Sequence, residues 1–261
     1  MTDSIIVFSW NGSDQPLAHV VFDEAPAFEI LLFNYSGNDQ QPVFTNHEIA
    51  VECLSIKTAF KGEWIHEVCK HVRGRSYCYI GLMDDDQSIS ISELNRLLQI
   101  AAEIDADVFQ PSVKKDSHYS HAQFLQKPGS APEAVEWIEI MAPFLRKEIF
   151  EAGEHYYQQN ISSYGIDRYL FPYLQRKLNR NHCFLIHEVA VEHLKPVTEG
   201  SKRFANGLDA RQEAELLRNT ILQQIRKEKI PFTKEELRSI YEVGTLRWQK
   251  WKYDLKRWLG K

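Results

Sequence analysis

Three consecutive carboxylates, Asp84-Asp85-Asp86, follow directly on the apolar run Tyr77-Cys78-Tyr79-Ile80-Gly81-Leu82-Met83. Like charges packed where a buried strand gives way to a loop are costly unless something positive sits against them. A hard divalent cation is the usual answer, because it takes carboxylate oxygens and leaves positions free for phosphate. The strand-end location is itself informative, since open α/β sheets bind ligands there. Two plainer readings fit the same residues: a solvated turn, or an Asp N-cap for the helix that follows.

Other residues of chemical interest are spread along the chain. Asp167 follows Gly165-Ile166 and opens a helix, where backbone N–H groups hold a carboxylate. Plain capping is the competing role, and it would lower the carboxyl pKa and weaken the group as a base. Glu136 and Glu139 lie three apart in a segment that reads as extended, so they point to opposite faces, one toward a site and one to solvent. Lys57 and Lys61 precede the first helix, placed either to meet phosphate or base or simply to be solvated. Ser9, Trp10 and Asn11 close the first strand; Asn34 and Tyr35 close the second. A Trp or Tyr can stack on a flat base and an Asn can pair with its edge, while Trp10 suits the core equally well.

These residues need elements to hold them. Ser4–Trp10 reads as a buried strand stopped by Asn11-Gly12, and Phe28–Tyr35 as a second, stopped by Ser36-Gly37-Asn38-Asp39. Residues 62–72 have helical spacing, with Trp64, Ile65, Val68 and Val72 on one side. Residues 77–82 make a third strand. Residues 91–104 make a helix, with Leu94, Leu97, Leu98 and Ala101 on one face. Residues 106–110 are a strand ended by Pro111. Strands alternating with helices imply a mainly parallel sheet covered on both faces. Further on, residues 134–141 look extended, 144–152 and 167–178 helical, and 183–191 a strand. Polar, glycine-bearing residues 198–208 suggest a boundary, and two helices, roughly 209–229 and 233–259, part near Pro231.

At 261 residues, one large domain (1–200) with an appendage (201–261) is the expectation, and 43% hydrophobic residues suffice for a real core. The four cysteines, Cys53, Cys69, Cys78 and Cys183, form no Cys-x-x-Cys pair, which suits reduced thiols in the cytoplasm. Met1-Thr2-Asp3-Ser4 carries no basic leader, and no apolar run approaches the ~20 residues that span a membrane. The net charge of −5 hides an asymmetry: residues 201–261 hold 15 Lys/Arg against 8 Asp/Glu, and residues 1–200 hold 16 against 28. An acidic body argues against nucleic acid as a partner. In the tail, Trp248, Trp251, Leu255, Trp258 and Leu259 share one helical face, with Arg247, Lys250, Lys256, Arg257 and Lys261 around it. Such a helix fits a membrane surface, which would make the protein peripheral on the inner face of the cytoplasmic membrane. It equally fits docking on its own domain or on another subunit.

The order strand, turn, strand, helix, strand, Asp-Asp-Asp, helix, strand resembles the GT-A fold of glycosyltransferases, with the carboxylates as its Asp-x-Asp motif. Met83-Asp84-Asp85-Asp86 with Ile91-Ser92-Glu93-Leu94-Asn95-Arg96-Leu97 resembles a thinly characterised glycosyltransferase-like family of plants and bacteria. So do Phe109-Gln110-Pro111-Ser112, Tyr119-Ser120-His121, Val135-Glu136-Trp137-Ile138-Glu139-Ile140-Met141-Ala142-Pro143, Tyr164-Gly165-Ile166-Asp167 and His193-Leu194-Lys195-Pro196-Val197. The resemblance covers about residues 1–200.

It implies a metal-dependent transfer of a sugar from a nucleotide diphosphate, with UDP the expected nucleotide and Mn²⁺ or Mg²⁺ the expected metal. A metal bridging both phosphates would neutralise the leaving group. Asp84 and Asp86 would be ligands, directly or through water, and Asp85 would face sugar or ribose. His193 would be the added histidine ligand, with His187 its rival; imidazole with carboxylates suits Mn²⁺. Asp167 would be the base that deprotonates the acceptor hydroxyl in an inverting reaction, with Glu136 and Glu139 as rivals. His118 and His121, a His-x-x-His in a loop, suit a lid or acceptor contact better than a metal site. The implied acceptor is a hydroxyl of a surface polysaccharide or lipopolysaccharide, free or lipid-linked. A nucleotidyltransferase is the competing enzyme class, disfavoured because Trp10-Asn11-Gly12-Ser13-Asp14 is not a glycine-rich, basic phosphate loop. A glycan-binding or scaffolding protein that kept the fold and lost the chemistry is the non-enzymatic alternative.

Overall fold

The computed structural model describes residues 3–13, 15–40, 42, 50–196 and 203–241. The tryptophan-faced tail lies outside them. The strands are β1 (Ser4–Trp10), β2 (Val20–Val21), β3 (Glu29–Asn34), β4 (Val51–Ser55), β5 (Tyr79–Met83), β6 (Gln87–Ser90), β7 (Val108–Val113), β8 (Glu133–Ala134), β9 (Phe144–Arg146) and β10 (Cys183–His193). The helices are α1 (Lys61–Val72), α2 (Ile91–Glu103), α3 (Lys147–Ala152), α4 (Glu154–Tyr157), α5 (Phe171–Lys177), α6 (Ala210–Glu228) and α7 (Lys234–Tyr241).

One mixed sheet runs in the order β2-β6-β10-β7-β9-β5-β1-β3-β4, with β8 paired to β10. Strands β5, β1, β3 and β4 are parallel neighbours, so their carboxyl ends lie along one edge. Successive residues of β1 feed opposite faces. Ile5 and Val7 join the core under α1, α3, α5 and α6, and Ile6 and Phe8 join the core under α2. A strand covered on both sides must be apolar throughout, which is why β1 and β5 read as unbroken hydrophobic runs. The strand, helix, strand order of the first hundred residues therefore holds as expected. Helix α2 starts where Ser90 caps it: Ser90 Oγ accepts from Glu93 N at 3.1 Å, and Ser90 N donates to Glu93 Oε2 at 3.0 Å.

Several expectations are corrected. Pro111 does not end its strand; it lies inside β7 and pairs with Ile186. It is tolerated because β9 leaves β7 after Phe109, so that side carries no ladder, and because β10 shifts register between Ile186 and Ala190. Residues 144–152 are not one helix: Phe144–Arg146 form β9, antiparallel between β5 and β7, before α3 begins. The ring of Phe144 stacks on Phe109 at 5.2 Å, and this packing overrides local helix propensity. Of residues 134–141 only the first belongs to a strand. Strands β4 and β6 are additions that the hydrophobic pattern did not announce.

The helices of the C-terminal extension pack on the main body. Leu217, Ile221 and Ile225 of α6 and Ile240 and Tyr241 of α7 belong to the same core as Ile5 and Val7. Among the described residues no helix is long and apolar enough to cross a membrane.

Candidate active site

Strand β5 ends at Met83, level with Phe8 of β1, so the carboxylates emerge beside the end of β1. The Asp85 N–H donates to Ser9 Oγ at 3.0 Å, which fixes the turn. Gln87 braces it from beneath: Asp84 N donates to Gln87 Oε1 at 3.2 Å, and Gln87 Nε2 donates to Met141 O at 2.8 Å. Strand β6 then pairs antiparallel with the end of β10, opposing Gln87 to His193. This short strand brings His193 back beside the carboxylates, and Leu194 N donates to Asp86 O at 2.9 Å.

Each carboxylate has a partner of its own. The Lys61 ammonium meets both oxygens of Asp84 at 2.6 Å. Tyr35 Oη donates to Asp85 Oδ2 at 2.8 Å, and Lys195 Nζ lies 3.7 Å from Asp85 Oδ1. His193 Nε2 lies 3.4 Å from Asp86 Oδ1. Burial works against a charge on either member of that last pair. Their mutual hydrogen bond and attraction outweigh it, lowering the Asp86 carboxyl and raising the His193 imidazole from their ordinary values. Among the described residues no group of three His, Cys, Asp or Glu side chains is arranged to hold a metal ion.

Two cavities meet at the carboxylates, and Asp84 and Asp85 line both. The smaller, about 250 Å³, runs over the end of β1 and is walled by Ser9, Trp10, Asn11, Gln15, His19 and Lys195, among others. The larger, about 710 Å³, holds Asp86, Lys61, His121, Glu139, Asp167 and His193.

Two buried carboxyl groups face the larger cavity. Asp167 sits in a π-helical turn, residues 166–170, entered through Gly165 at φ 83°, a left-handed conformation open to glycine. Its side chain does not cap the turn. Asp167 Oδ2 accepts from Ile140 N at 2.9 Å and Oδ1 from Arg168 N at 2.7 Å. Burial dominates those hydrogen bonds and pushes the carboxyl up to about 6, the reverse of the expected effect of capping. Glu139 is 5% exposed, and its backbone N–H donates to Gln110 Oε1 at 2.5 Å. Its Oε2 makes no hydrogen bond, and burial pushes the group up to about 7.

The remaining candidates divide. His121 lines the larger cavity, its ring edge-on to Trp137 at 5.0 Å, whereas His118 is exposed. Ser9 and Asn11 line the smaller cavity. Trp10 contributes a wall of it but is 2% exposed, with its indole N–H donating to Ser13 O, so no ring face is open for stacking. Glu136 is exposed outside both cavities and bonded to Ser239 of α7. Asn34 is spent on its own turn, accepting from Ser36 N at 3.1 Å and donating to Asn38 Oδ1 at 2.8 Å. Lys57 is exposed and lines neither cavity. His187 is buried against Glu133, 3.0 Å away, far along β10 from the carboxylates. Tyr35 reaches the site only through Asp85. Sequence reasoning missed Lys195 as a site residue, although it stands two residues beyond His193, and it missed Phe60, Tyr164 and Phe204 in the wall of the larger cavity.

Comparison with solved structures recovers this arrangement of elements. S. aureus TarS residues 1–349 in complex with UDP-GlcNAc superposes with a TM-score of 0.57 at 14% identity, over 92% of this chain and 70% of that one. The fold is GT-A-like. The same TarS segment without ligand gives 0.55 at 12% identity over 92% and 69% of the two chains. Its complex with UDP gives 0.50 at 13% identity over 96% and 78%. No family model matches the sequence, and no curated protein matches it.

Proposed function

We propose that this protein is a glycosyltransferase that moves a sugar from a nucleotide diphosphate, UDP in the first instance, to a hydroxyl group of a glycan. The observation that carries the reading is the meeting of two cavities at Asp84 and Asp85, with Asp86, Asp167 and Glu139 lining only the larger. The TarS complexes, which hold UDP-GlcNAc and UDP, support the choice of nucleotide.

In this reading the nucleoside lies in the smaller cavity beside Asn11 and Lys195, and the sugar passes over Asp85 into the larger. Asp86 and His193, a carboxylate oxygen and an imidazole nitrogen 3.4 Å apart on the lining of the larger cavity, are the residues that would hold a divalent cation, Mn²⁺ in the first instance. Asp84 is engaged by Lys61, so it would not be free to join them. The metal would supply charge neutralisation for the leaving group. Lys61 and Lys195 hold positive charge on either side of the same turn. Asp167, as the base, accepts the proton of the attacking hydroxyl; a carboxyl held near 6 is ionised at neutral pH yet more basic than an exposed one. Glu139, near 7, shares the cavity and orients the acceptor by hydrogen bonds. A surface polysaccharide or lipopolysaccharide remains the acceptor class this reading names.

The test is UDP release from UDP-GlcNAc and other UDP-hexoses with Mn²⁺ present, for the parent protein and Asp167→Asn. A drop of at least ~100-fold with UDP affinity held within about twofold supports the assignment. Unchanged turnover in Asp167→Asn removes Asp167 as base.

A further inference from the structure

The C-terminal extension reaches the larger cavity and forms part of its wall. Ala210 and Ala214 of α6 line it, as does Phe204 in the segment before that helix. Phe204 meets Phe60, the residue preceding α1, edge to face at 4.6 Å. Glu213 is 3% exposed and accepts from Ser162 N at 2.8 Å, from Ile161 N at 3.3 Å and from Asn206 Nδ2 at 2.7 Å. One buried carboxylate on α6 thus ties the segment at 206 to the loop at 161–162, and that loop continues into Ser163, Tyr164 and Gly165 of the cavity wall. The loop in turn holds the start of α1, where Gly62 N donates to Ile161 O at 3.0 Å.

The cavity's chemistry is lopsided. Five carboxyl groups line it, Asp84, Asp85, Asp86, Glu139 and Asp167. Of the basic side chains on its lining, Lys61 is engaged by Asp84, His193 by Asp86, and Arg168 by the carbonyls of Ile240 at 2.8 Å and Ser239 at 3.0 Å. Its lining also carries the aromatic residues Phe60, Phe204, Tyr164 and Trp137, of which Tyr164 is 38% exposed and Trp137 buried. An anionic acceptor would enter a field of its own sign. A neutral sugar ring offers C–H faces to aromatic rings and hydroxyls to the carboxyl groups, the mixture of apolar walls and few polar contacts that ligand sites use.

We propose that residues 203–214 complete an acceptor subsite that takes a neutral hexose ring against Phe204, Phe60 and Tyr164. The proposal rests on the transferase reading for what happens next to that ring, but the binding itself does not depend on it.

The experiment is saturation-transfer NMR on the full chain with UDP and Mg²⁺, a diamagnetic ion. Aromatic protons are irradiated, and methyl hexosides and glycerol phosphate serve as neutral and anionic probes. The expected result is transfer to the C–H protons of at least one methyl hexoside and none to glycerol phosphate. The Phe204→Leu variant should lose most of that signal, whereas Phe204→Trp, which keeps a ring, retains it. Transfer to glycerol phosphate alone, or hexoside transfer unaltered in Phe204→Leu, would overturn the subsite. Calorimetry with UDP on the same samples separates the two readings. UDP binding without hexoside contact rejects the subsite and spares the donor site. Hexoside contact without UDP binding does the opposite.

Discussion

Burial sets the chemistry of Asp167 and Glu139 more than any neighbouring charge does. If Asp167 is the base, kcat/KM rises as pH passes through about 6 and is lost below it, because only the ionised carboxylate accepts a proton. That limb should vanish with the activity in Asp167→Asn. Glu139 carries a stability consequence with a definite sign. Its carboxyl is raised from 4.5 to about 7 on folding, so the native state binds the proton more tightly than the unfolded chain. The benefit is complete below pH ~4.5 and lost as pH rises through about 7. Glu139→Gln, neutral at every pH, should therefore be more stable than the parent near pH 8, by on the order of 2 kcal/mol, and nearly equal near pH 4. Urea unfolding at the two pH values reads this directly; an equal difference at both would refute the burial argument.

At the scale of elements, one close approach and one helix cap hold the cavity wall in place. A Cβ on Gly62 would lie 1.9 Å from Asn160 O, so Gly62→Ala must push α1 from the loop that walls the cavity. A loss of ~1–3 kcal/mol is expected from such overpacking, seen as a lower urea midpoint. Helix α6 begins at Asp209, whose side chain accepts from Gln212 N at 2.9 Å; Asp209→Ala should cost ~1 kcal/mol. What the sequence made legible follows the same physics. Elements with strong periodicity and clean stops, β1, β3, α1, α2 and β10, could be read within a residue or two. Strand β6 could not, because Gln87-Ser88-Ile89-Ser90 has one apolar residue and earns its place by pairing with β10. Yet β6 sets His193 beside Asp86, so the metal candidate was legible only through family resemblance. Asn34, Lys57 and Glu136 read as site residues because they stand near strand ends or beside a motif. Turn chemistry, exposure and the course of the chain after β8 place them elsewhere. Phe204 was invisible because nothing local announces that residues distant in sequence share a cavity.

For the whole molecule, the appendage and the main body share one core. Leu217, Ile221, Ile225, Ile240 and Tyr241 are buried against the helices and strands of the first 200 residues. A chain ended at residue 200 would expose that surface and should lose its cooperative unfolding transition; a fragment that unfolds cooperatively would show the extension to be separable. The central claim is that the meeting point of the two cavities binds a nucleotide diphosphate. The most direct measurement is calorimetric titration of the full chain with UDP, with Mn²⁺ and with chelator, for the parent protein and Asp86→Ala. Saturable binding that weakens at least ~10-fold, about 1.4 kcal/mol, both in the variant and on chelation is the predicted result. No UDP binding with Mn²⁺ present, or binding of equal strength in Asp86→Ala, would contradict the account.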